Sequence, residues 1–238
     1  MMRKVMIALA LIGAASPALA QVVERKAKTA DYEFGYAYPA AAARIAGLKA
    51  WLDADRARIQ AKTARDGAAG RRDAKASGYP YHRYSFDKTW KVVTDTPRFL
   101  SLSGDSYSFT GGAHGSPASH GLVWDKVAAR RLDPKAVFAS LPALQTATRS
   151  DYCAKLKAEQ RRRNQGDVSS MNVCPPVKDL TVLLGSTNGR AIDRIGLIAD
   201  PYVAGSYAEG SYEVTLPVTR AIMGAVKPEY RGAFAVRG

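Results

Sequence analysis

Two glycine-rich stretches decide how this sequence is interpreted. They are Tyr107-Ser-Phe-Thr-Gly-Gly-Ala-His-Gly115, and Pro201-Tyr-Val-Ala-Gly-Ser-Tyr-Ala-Glu-Gly210 running on to Val214-Thr-Leu-Pro217. Neither is a common turn sequence. Glycine permits positive φ and a close approach of the backbone. Both stretches therefore predict turns between strands that other residues could not easily form. Each also carries side chains that can bind a ligand, a histidine in the first and tyrosines in the second.

In this order, the two stretches resemble an extracytoplasmic domain family of unknown function. Its members include the sensing region of a lysozyme-responsive anti-sigma factor and the N-terminal region of a peptidoglycan deacetylase. The resemblance implies two adjoining halves whose strands pack with two long helices. The sequence lacks the anti-sigma factor's cytoplasmic segment and membrane anchor, and it leaves no room for the deacetylase's catalytic domain. We therefore expect neither sigma-factor sequestration nor deacetylation.

The N-terminus has the pattern of a signal peptide. Arg3 and Lys4 precede an apolar run over residues 5–15, and Ala18-Leu-Ala20 resembles a cleavage site. The run is shorter than the roughly 20 apolar residues that a spanning helix needs. We therefore predict that residues 1–20 are removed. The mature protein would begin at Gln21 and be periplasmic or secreted, soluble, and without a transmembrane anchor.

The predicted mature chain is strongly basic. Without Arg3 and Lys4, the 35 basic residues become 33 against 21 acidic ones, so the net charge is +12. Such a charge attracts anionic partners, which outside the cytoplasm are lipid headgroups, lipopolysaccharide or acidic wall polymers. A well-dispersed, solvated basic surface explains the same composition. We predict an anionic envelope component or a cell-wall glycan as partner, and no nucleic acid.

The two cysteines, Cys153 and Cys174, predict a disulfide bond, because an even number of cysteines usually pairs outside the cytoplasm. The competing interpretation is a metal site, but no second cysteine or histidine lies at ligand spacing from either thiol. We predict no metal and no cofactor.

Hydrophobic periodicity predicts an α+β fold in which antiparallel sheet hairpins pack with two long helices. One helix runs from Pro39 toward Lys62, the other from Pro142 to about Arg163, and residues 64–77 look like an exposed linker. Strands are expected at residues 31–38, within 79–109, and at 121–128, 180–184, 193–198 and 211–216. We expect two adjoining sub-parts in one compact unit. Residues 21–140 hold the Gly-Gly-Ala-His-Gly motif, and residues 141–238 hold the Pro-Tyr motif.

The first motif offers two interpretations. The amides around Gly111 and Gly112 could form an anion-binding nest beside His114. Alternatively, the glycines form a turn and His114 only orders it, and we favour this role, with ligand contact second. Nearby, His120 and Asp125 match no zinc signature, and Ser116 and Ser119 lack the G-x-S-x-G context of a nucleophile. His82 is expected on a strand face. We assign no catalytic residue.

The second motif places Tyr202, Tyr207 and Tyr212 at five-residue intervals with glycines between them. Such rings could line a saccharide or peptide groove, or they could pack in the core, the role we favour for most of them. The candidate ligand-binding residues are thus His114, Gly111, Gly112, Tyr202 and Tyr207. We predict a non-catalytic binding or sensing module for an envelope component. The alternatives are a small wall hydrolase with His114 as acid/base, and a structural envelope protein.

Overall fold

The structure of the protein is a computed structural model that describes residues 22–169, 171 and 173–237. The predicted signal peptide, residues 1–20, and the cleavage site before Gln21 lie outside these residues, so both stay predictions. Among the described residues, no helix combines the length and the apolar character that crossing a membrane requires.

The N-terminal part is built on a six-stranded sheet whose strands are arranged in chain order. β2 and β3 are parallel, and the other four neighbouring pairs are antiparallel. The parallel pair departs from the predicted antiparallel arrangement. The strands are β1 (Val22–Lys28), β2 (Tyr32–Pro39), β3 (Tyr84–Asp95), β4 (Phe99–Phe109), β5 (Ser116–Asp125) and β6 (Arg130–Leu132).

A long helix makes the parallel pairing possible, because parallel neighbours need a crossover connection. A short helix, α1 (Ala40–Ala43), leads into α2 (Ala46–Ser77), which crosses back to the start of β3. The prediction of a linker at residues 64–77 is wrong, since these residues form the second half of α2. Two glycines there allow close packing: a Cβ on Gly67 would lie 2.6 Å from the Asp31 carbonyl oxygen, and one on Gly70 would lie 2.6 Å from the Tyr84 hydroxyl.

A buried polar cluster joins α2 to the sheet. The Asp55 carboxylate on α2 accepts hydrogen bonds from the Tyr36 hydroxyl at 3.0 Å and the Lys88 ammonium at 3.2 Å. Trp90 donates its indole N–H to the Tyr36 oxygen at 2.9 Å. Asp55 and Lys88 are each only 7% exposed. Burial raises the pKa of Asp55, but Lys88 and the hydrogen bonds from Arg58 and Tyr36 outweigh it, so the net pKa lies below its usual value.

The C-terminal part has an antiparallel three-stranded sheet of β7 (Thr181–Gly185), β8 (Arg194–Ala199) and β9 (Tyr212–Pro217). The second long helix, α3 (Leu141–Arg163), packs on it, and a short helix, α4 (Arg220–Ala225), follows β9. The Ser140 hydroxyl caps α3 by accepting the Ala143 N–H at 3.1 Å. As predicted, Cys153 and Cys174 form a disulfide, with Cα atoms 5.5 Å apart. It closes the loop after α3.

Two hydrophobic cores fill the molecule, one beneath α2 and one around α3 and the smaller sheet. Phe99 and Val123 lie on the larger sheet but pack in the core around α3. The Thr181 hydroxyl also donates to the Ser119 carbonyl at 2.9 Å, which links β7 to β5. The predicted α+β class with two adjoining parts is confirmed, while the limits at 21–140 and 141–238 stay predictions.

Candidate functional site

The two glycine-rich motifs meet in space. The imidazole of His114, in the loop between β4 and β5, stacks on the Tyr207 ring with centroids 4.0 Å apart and planes 26° apart. This contact joins positions that are 93 residues apart in the chain. Two of the five predicted ligand-binding residues are therefore direct neighbours.

Two further tyrosines complete an exposed group of rings. The Tyr202 ring lies 6.0 Å from that of Tyr207, and the Tyr107 hydroxyl accepts the Gly115 N–H at 3.1 Å. Tyr107 is 42% exposed and Tyr202 is 57% exposed, so their faces are available to a ligand. Desolvation and the neighbouring Tyr107 raise the pKa of Tyr207 above its ordinary value. We call Tyr107, His114, Tyr202 and Tyr207 the aromatic platform.

Glycines shape the first motif in two ways. Gly111 has a φ of +87°, a conformation that other residues rarely adopt. Gly115 is needed for space instead, because a Cβ there would lie 2.2 Å from Cζ of Tyr107. A Cβ on Gly112 would meet nothing within 4 Å, so packing does not require glycine at this position. The predicted nest at Gly111 and Gly112 stays a prediction.

A hydrogen-bond network fixes the second motif. Glu209 accepts hydrogen bonds from the Tyr212 hydroxyl at 2.5 Å, the Asn164 amide at 3.0 Å and the Ser169 hydroxyl at 2.9 Å. Burial raises the pKa of Glu209, but these bonds and the Ser206 N–H lower it to about 2. The carboxylate therefore stays charged and ties the motif to the loop after α3. Tyr212 is buried and belongs to the core, the role favoured for most of these tyrosines, unlike the exposed Tyr202.

Two polar residues close to His114 in the chain, Ser119 and His120, have hydrogen-bond partners other than His114. The Nδ1 atom of His114 lies 2.9 Å from the carbonyl oxygen of Gly115, its own neighbour. Ser119 bonds to Asp200 through both its N–H and its hydroxyl, at 2.9 and 2.6 Å. His120 pairs with Ser106 at 2.8 Å. No hydrogen bond from a serine hydroxyl or carboxylate to the His114 ring is found in the part of the chain that the structure describes.

His120 lies in a partly buried environment that shifts its pKa. Burial lowers its pKa, and the nearby charge of Lys88 lowers it further. Its ring lies 6.1 Å from that of Trp90 and faces the buried polar cluster rather than the platform. Across the described residues, no group of three or more histidine, cysteine, aspartate or glutamate side chains could hold a metal ion.

A second group of aromatic side chains lies on the other side of the Gly111 turn. It lines a cleft of about 300 Å³, with Gly111 and Thr110 forming part of the wall. His82 lies here, exposed and just before β3, so the prediction of a strand-face position is wrong. We call this the tyrosine cleft, after Tyr79, Tyr81 and Tyr84. The platform and the tyrosine cleft together use six of the 12 tyrosines, which concentrates the aromatic surface at this end of the molecule.

Sequence reasoning missed the part that Tyr107, Gly115 and Asp200 play in this region. Tyr107 and Gly115 are the two ends of the first motif, so their positions in the motif could have drawn attention to them. The contact between them depends on the loop closing back on β4, which no residue pattern encodes. Asp200 directly precedes the second motif, but its bonds to Ser119 are non-local.

Comparisons with known proteins identify a matching family model and similar solved structures. Residues 25–117, which include the histidine motif, match the family model described as Deacetylase PdaC. No curated protein matches the chain. The structure resembles a DUF3298 family protein from Bacteroides fragilis, with 14% sequence identity, a TM-score of 0.52, and coverage of 90% of this chain and 95% of that one.

It also resembles a DUF3298 family protein from Pseudomonas aeruginosa PAO1, with 16% identity, a TM-score of 0.50, and coverage of 92% of this chain and 98% of that one. At these identities the likeness shows the fold alone. The predicted resemblance is confirmed on these terms: the chain has the fold of DUF3298 proteins, and its residues 25–117 match a deacetylase-associated family model.

Proposed function

We propose that the protein is a non-catalytic binding module for a cell-envelope component, in the periplasm or secreted, and that the aromatic platform contacts the ligand. The stacking of His114 on Tyr207 carries this proposal, because it assembles one exposed surface from the two motifs that define the fold. The disulfide and the signal-like N-terminus support the location.

Cell-wall glycan is the ligand class that the platform favours. Aromatic rings with one apolar face and one polar edge suit ligands that combine C–H faces with hydroxyl groups, as sugar rings do. Tyr202 and Tyr107 expose such faces, and the tyrosine cleft extends the aromatic surface past Gly111. The net charge of +12 on the predicted mature chain adds a general attraction for acidic polymers, which operates over a longer range than the stacking.

The hydrolase alternative, with His114 as acid/base, has less support. A general acid or base works with a partner that orients it or shares its proton. Ser119 and His120 are bonded to Asp200 and Ser106. The stack with Tyr207 instead fits a role for His114 in ligand contact or in ordering the loop.

Binding to soluble peptidoglycan fragments, measured by isothermal titration calorimetry at low and high salt, tests the proposal. Tyr207→Ala should weaken binding at least tenfold at both salt concentrations, while Tyr207→Phe, which keeps the ring, should bind nearly as well as the wild type. Val127→Ala is a matched control, because Val127 is exposed in the turn at the far end of β5.

Three results would contradict the proposal. Equal binding by Tyr207→Ala and the wild type would exclude the platform. Binding that disappears at high salt in every variant would assign recognition to the basic surface alone. Hydrolysis of the fragments that is lost in His114→Ala would favour the alternative.

A further inference from the structure

Helix α2 is held to the sheet at two places and spans a gap between them. Its buried residues are Leu48, Leu52 and Asp55 at one end, and Gly67 and Ala74 at the other. Between these anchors lies a cleft of about 290 Å³, bounded by the helix on one side and by the ends of β3 and β4 on the other. This cleft adjoins the tyrosine cleft, with which it shares Tyr84 and Thr110, but it belongs neither to the aromatic platform nor to the buried polar cluster. We call it the helix cleft.

The helix cleft has apolar walls and a polar mouth. Ile59 from α2 and Phe86 and Phe109 from the sheet supply the walls. Lys62 and Ser108 also line it, and Lys62 is exposed and forms an ion pair with Asp66 on the next turn. A hydrocarbon group thus finds apolar contacts inside, while a charged group attached to it can stay at the mouth in water.

The volume sets the size of the occupant. Engineered apolar cavities of about 150 Å³ bind benzene, and drug-sized ligands occupy cavities from about 300 Å³ upward. At about 290 Å³, the helix cleft accommodates a group larger than benzene but not a folded peptide or a disaccharide with its hydration. A single flexible alkyl chain fits these limits.

The charge around the mouth sets the sign of the head group. The two charged residues that line the helix cleft, Lys62 and Asp66, neutralise each other as an ion pair, so the sign comes from the surrounding surface. Helix α2 carries eight basic and four acidic residues, and the predicted mature chain has a net charge of +12. A carboxylate or phosphate at the mouth can replace Asp66 as the partner of Lys62 and accept a hydrogen bond from Ser108. We propose that the helix cleft binds the alkyl chain of a single-chain anionic amphiphile. This inference goes beyond the proposed function and does not depend on the platform.

Titration of the full mature chain with sodium dodecanoate below its micelle concentration tests the inference. The wild type should bind one molecule. Thr63→Leu, which fills the helix cleft from α2, and Ser108→Val, which fills it from β4, should each weaken binding at least tenfold. Neither changes the net charge, so non-specific attraction of the anion is held constant. Ala61→Leu places the same leucine side chain at an exposed position of α2 and should bind like the wild type.

Two further variants test separately the role of the Lys62 charge and the independence of the helix cleft from the aromatic platform. Lys62→Gln should weaken dodecanoate binding several-fold, and Tyr207→Ala should leave it unchanged, so failure here is distinct from failure of the platform. The inference is overturned if the wild type does not bind dodecanoate, or if both filled variants, folded by circular dichroism, bind as well as Ala61→Leu. It is also overturned if dodecyltrimethylammonium binds as tightly as dodecanoate.

Discussion

The two long helices pack on their sheets in different ways. α3 buries a residue at every fourth position, which gives an unbroken seam of Leu144, Thr148, Tyr152, Leu156 and Gln160. α2 is nine residues longer but buries only its two ends, and one of its anchors is the charged Asp55. Regular spacing makes α3 a packing element along its whole length. α2 is instead a crossover whose position depends on a few polar and glycine contacts, which leaves room for the helix cleft.

The largest effect should follow from Asp55→Ala. Removing one member of a buried ion pair leaves Lys88 buried without its partner, which costs about 3–5 kcal/mol. For a domain of this size, that lowers Tm by roughly 6–20 °C. Asp66→Ala is the matched control, since its ion pair with Lys62 lies on the surface of the same helix and should contribute at most about 1 kcal/mol. Equal thermal stability of the two variants would show that α2 is not held by the polar cluster.

Loss of the disulfide should destabilise the protein by about 3 kcal/mol. The bond joins α3 to a loop with a sequence separation of 21 residues, and α3 keeps its buried seam without it. Guanidinium unfolding of Cys153→Ser/Cys174→Ser, compared with the oxidised wild type, measures the difference. Peptide mapping without reductant checks the bond itself, and two alkylated thiols in the native protein would contradict it.

A smaller, pH-dependent effect should come from His120. Burial and Lys88 hold the pKa of His120 below its usual value, so the folded state favours the neutral imidazole. The unfolded chain binds the proton more tightly, and stability should therefore fall as pH drops below about 6.5 and toward the folded-state pKa. Denaturant unfolding between pH 7.5 and 5 should show this decrease in the wild type and a flatter profile in His120→Gln. His82→Gln, at an exposed site, should keep the wild-type profile.

The smallest effect on stability is expected for His114→Ala. The sequence led us to favour a role for His114 in ordering the turn, but His114 is exposed and its bond is to the adjacent Gly115 carbonyl. Changes at such positions usually stay within about 0.5 kcal/mol. We expect an almost unchanged Tm together with weaker binding of peptidoglycan fragments. A Tm loss of several degrees, with binding reduced in parallel, would restore the loop-ordering role.

The elements that the sequence predicted well are those with a clear local period. α3 follows its apolar repeat, and β7, β8 and β9 follow simple alternation. The predicted limits of these four elements therefore lie within one residue of the observed ones. β1 was missed, because Val22–Lys28 is an edge strand rich in charge. The second half of α2 was missed because Gly67 and Gly70 look like linker residues, whereas here they let the helix contact the sheet.

The other features that the sequence did not predict depend on contacts between residues far apart in the chain. The alternation of Phe86, Lys88 and Trp90 puts all three on one face of β3, but the carboxylate that makes a buried Lys88 tolerable lies 33 positions away on α2. In the candidate site, both motifs could be identified from the sequence. Their stacking could not, since it depends on how the two sheets pack.

The parallel pairing of β2 with β3 also affects the order in which the chain can fold. Tyr32 is paired with Tyr84, 52 positions later, whereas β3, β4 and β5 are joined by short turns. Closing the longer loop costs more chain entropy before any contact offsets it. We expect the β3–β5 meander to form early in refolding and β2 to join it only after α2 has become helical. The rate-limiting step would then be docking of the β2–α2 unit, and Tyr36, Asp55 and Lys88 would form their contacts late.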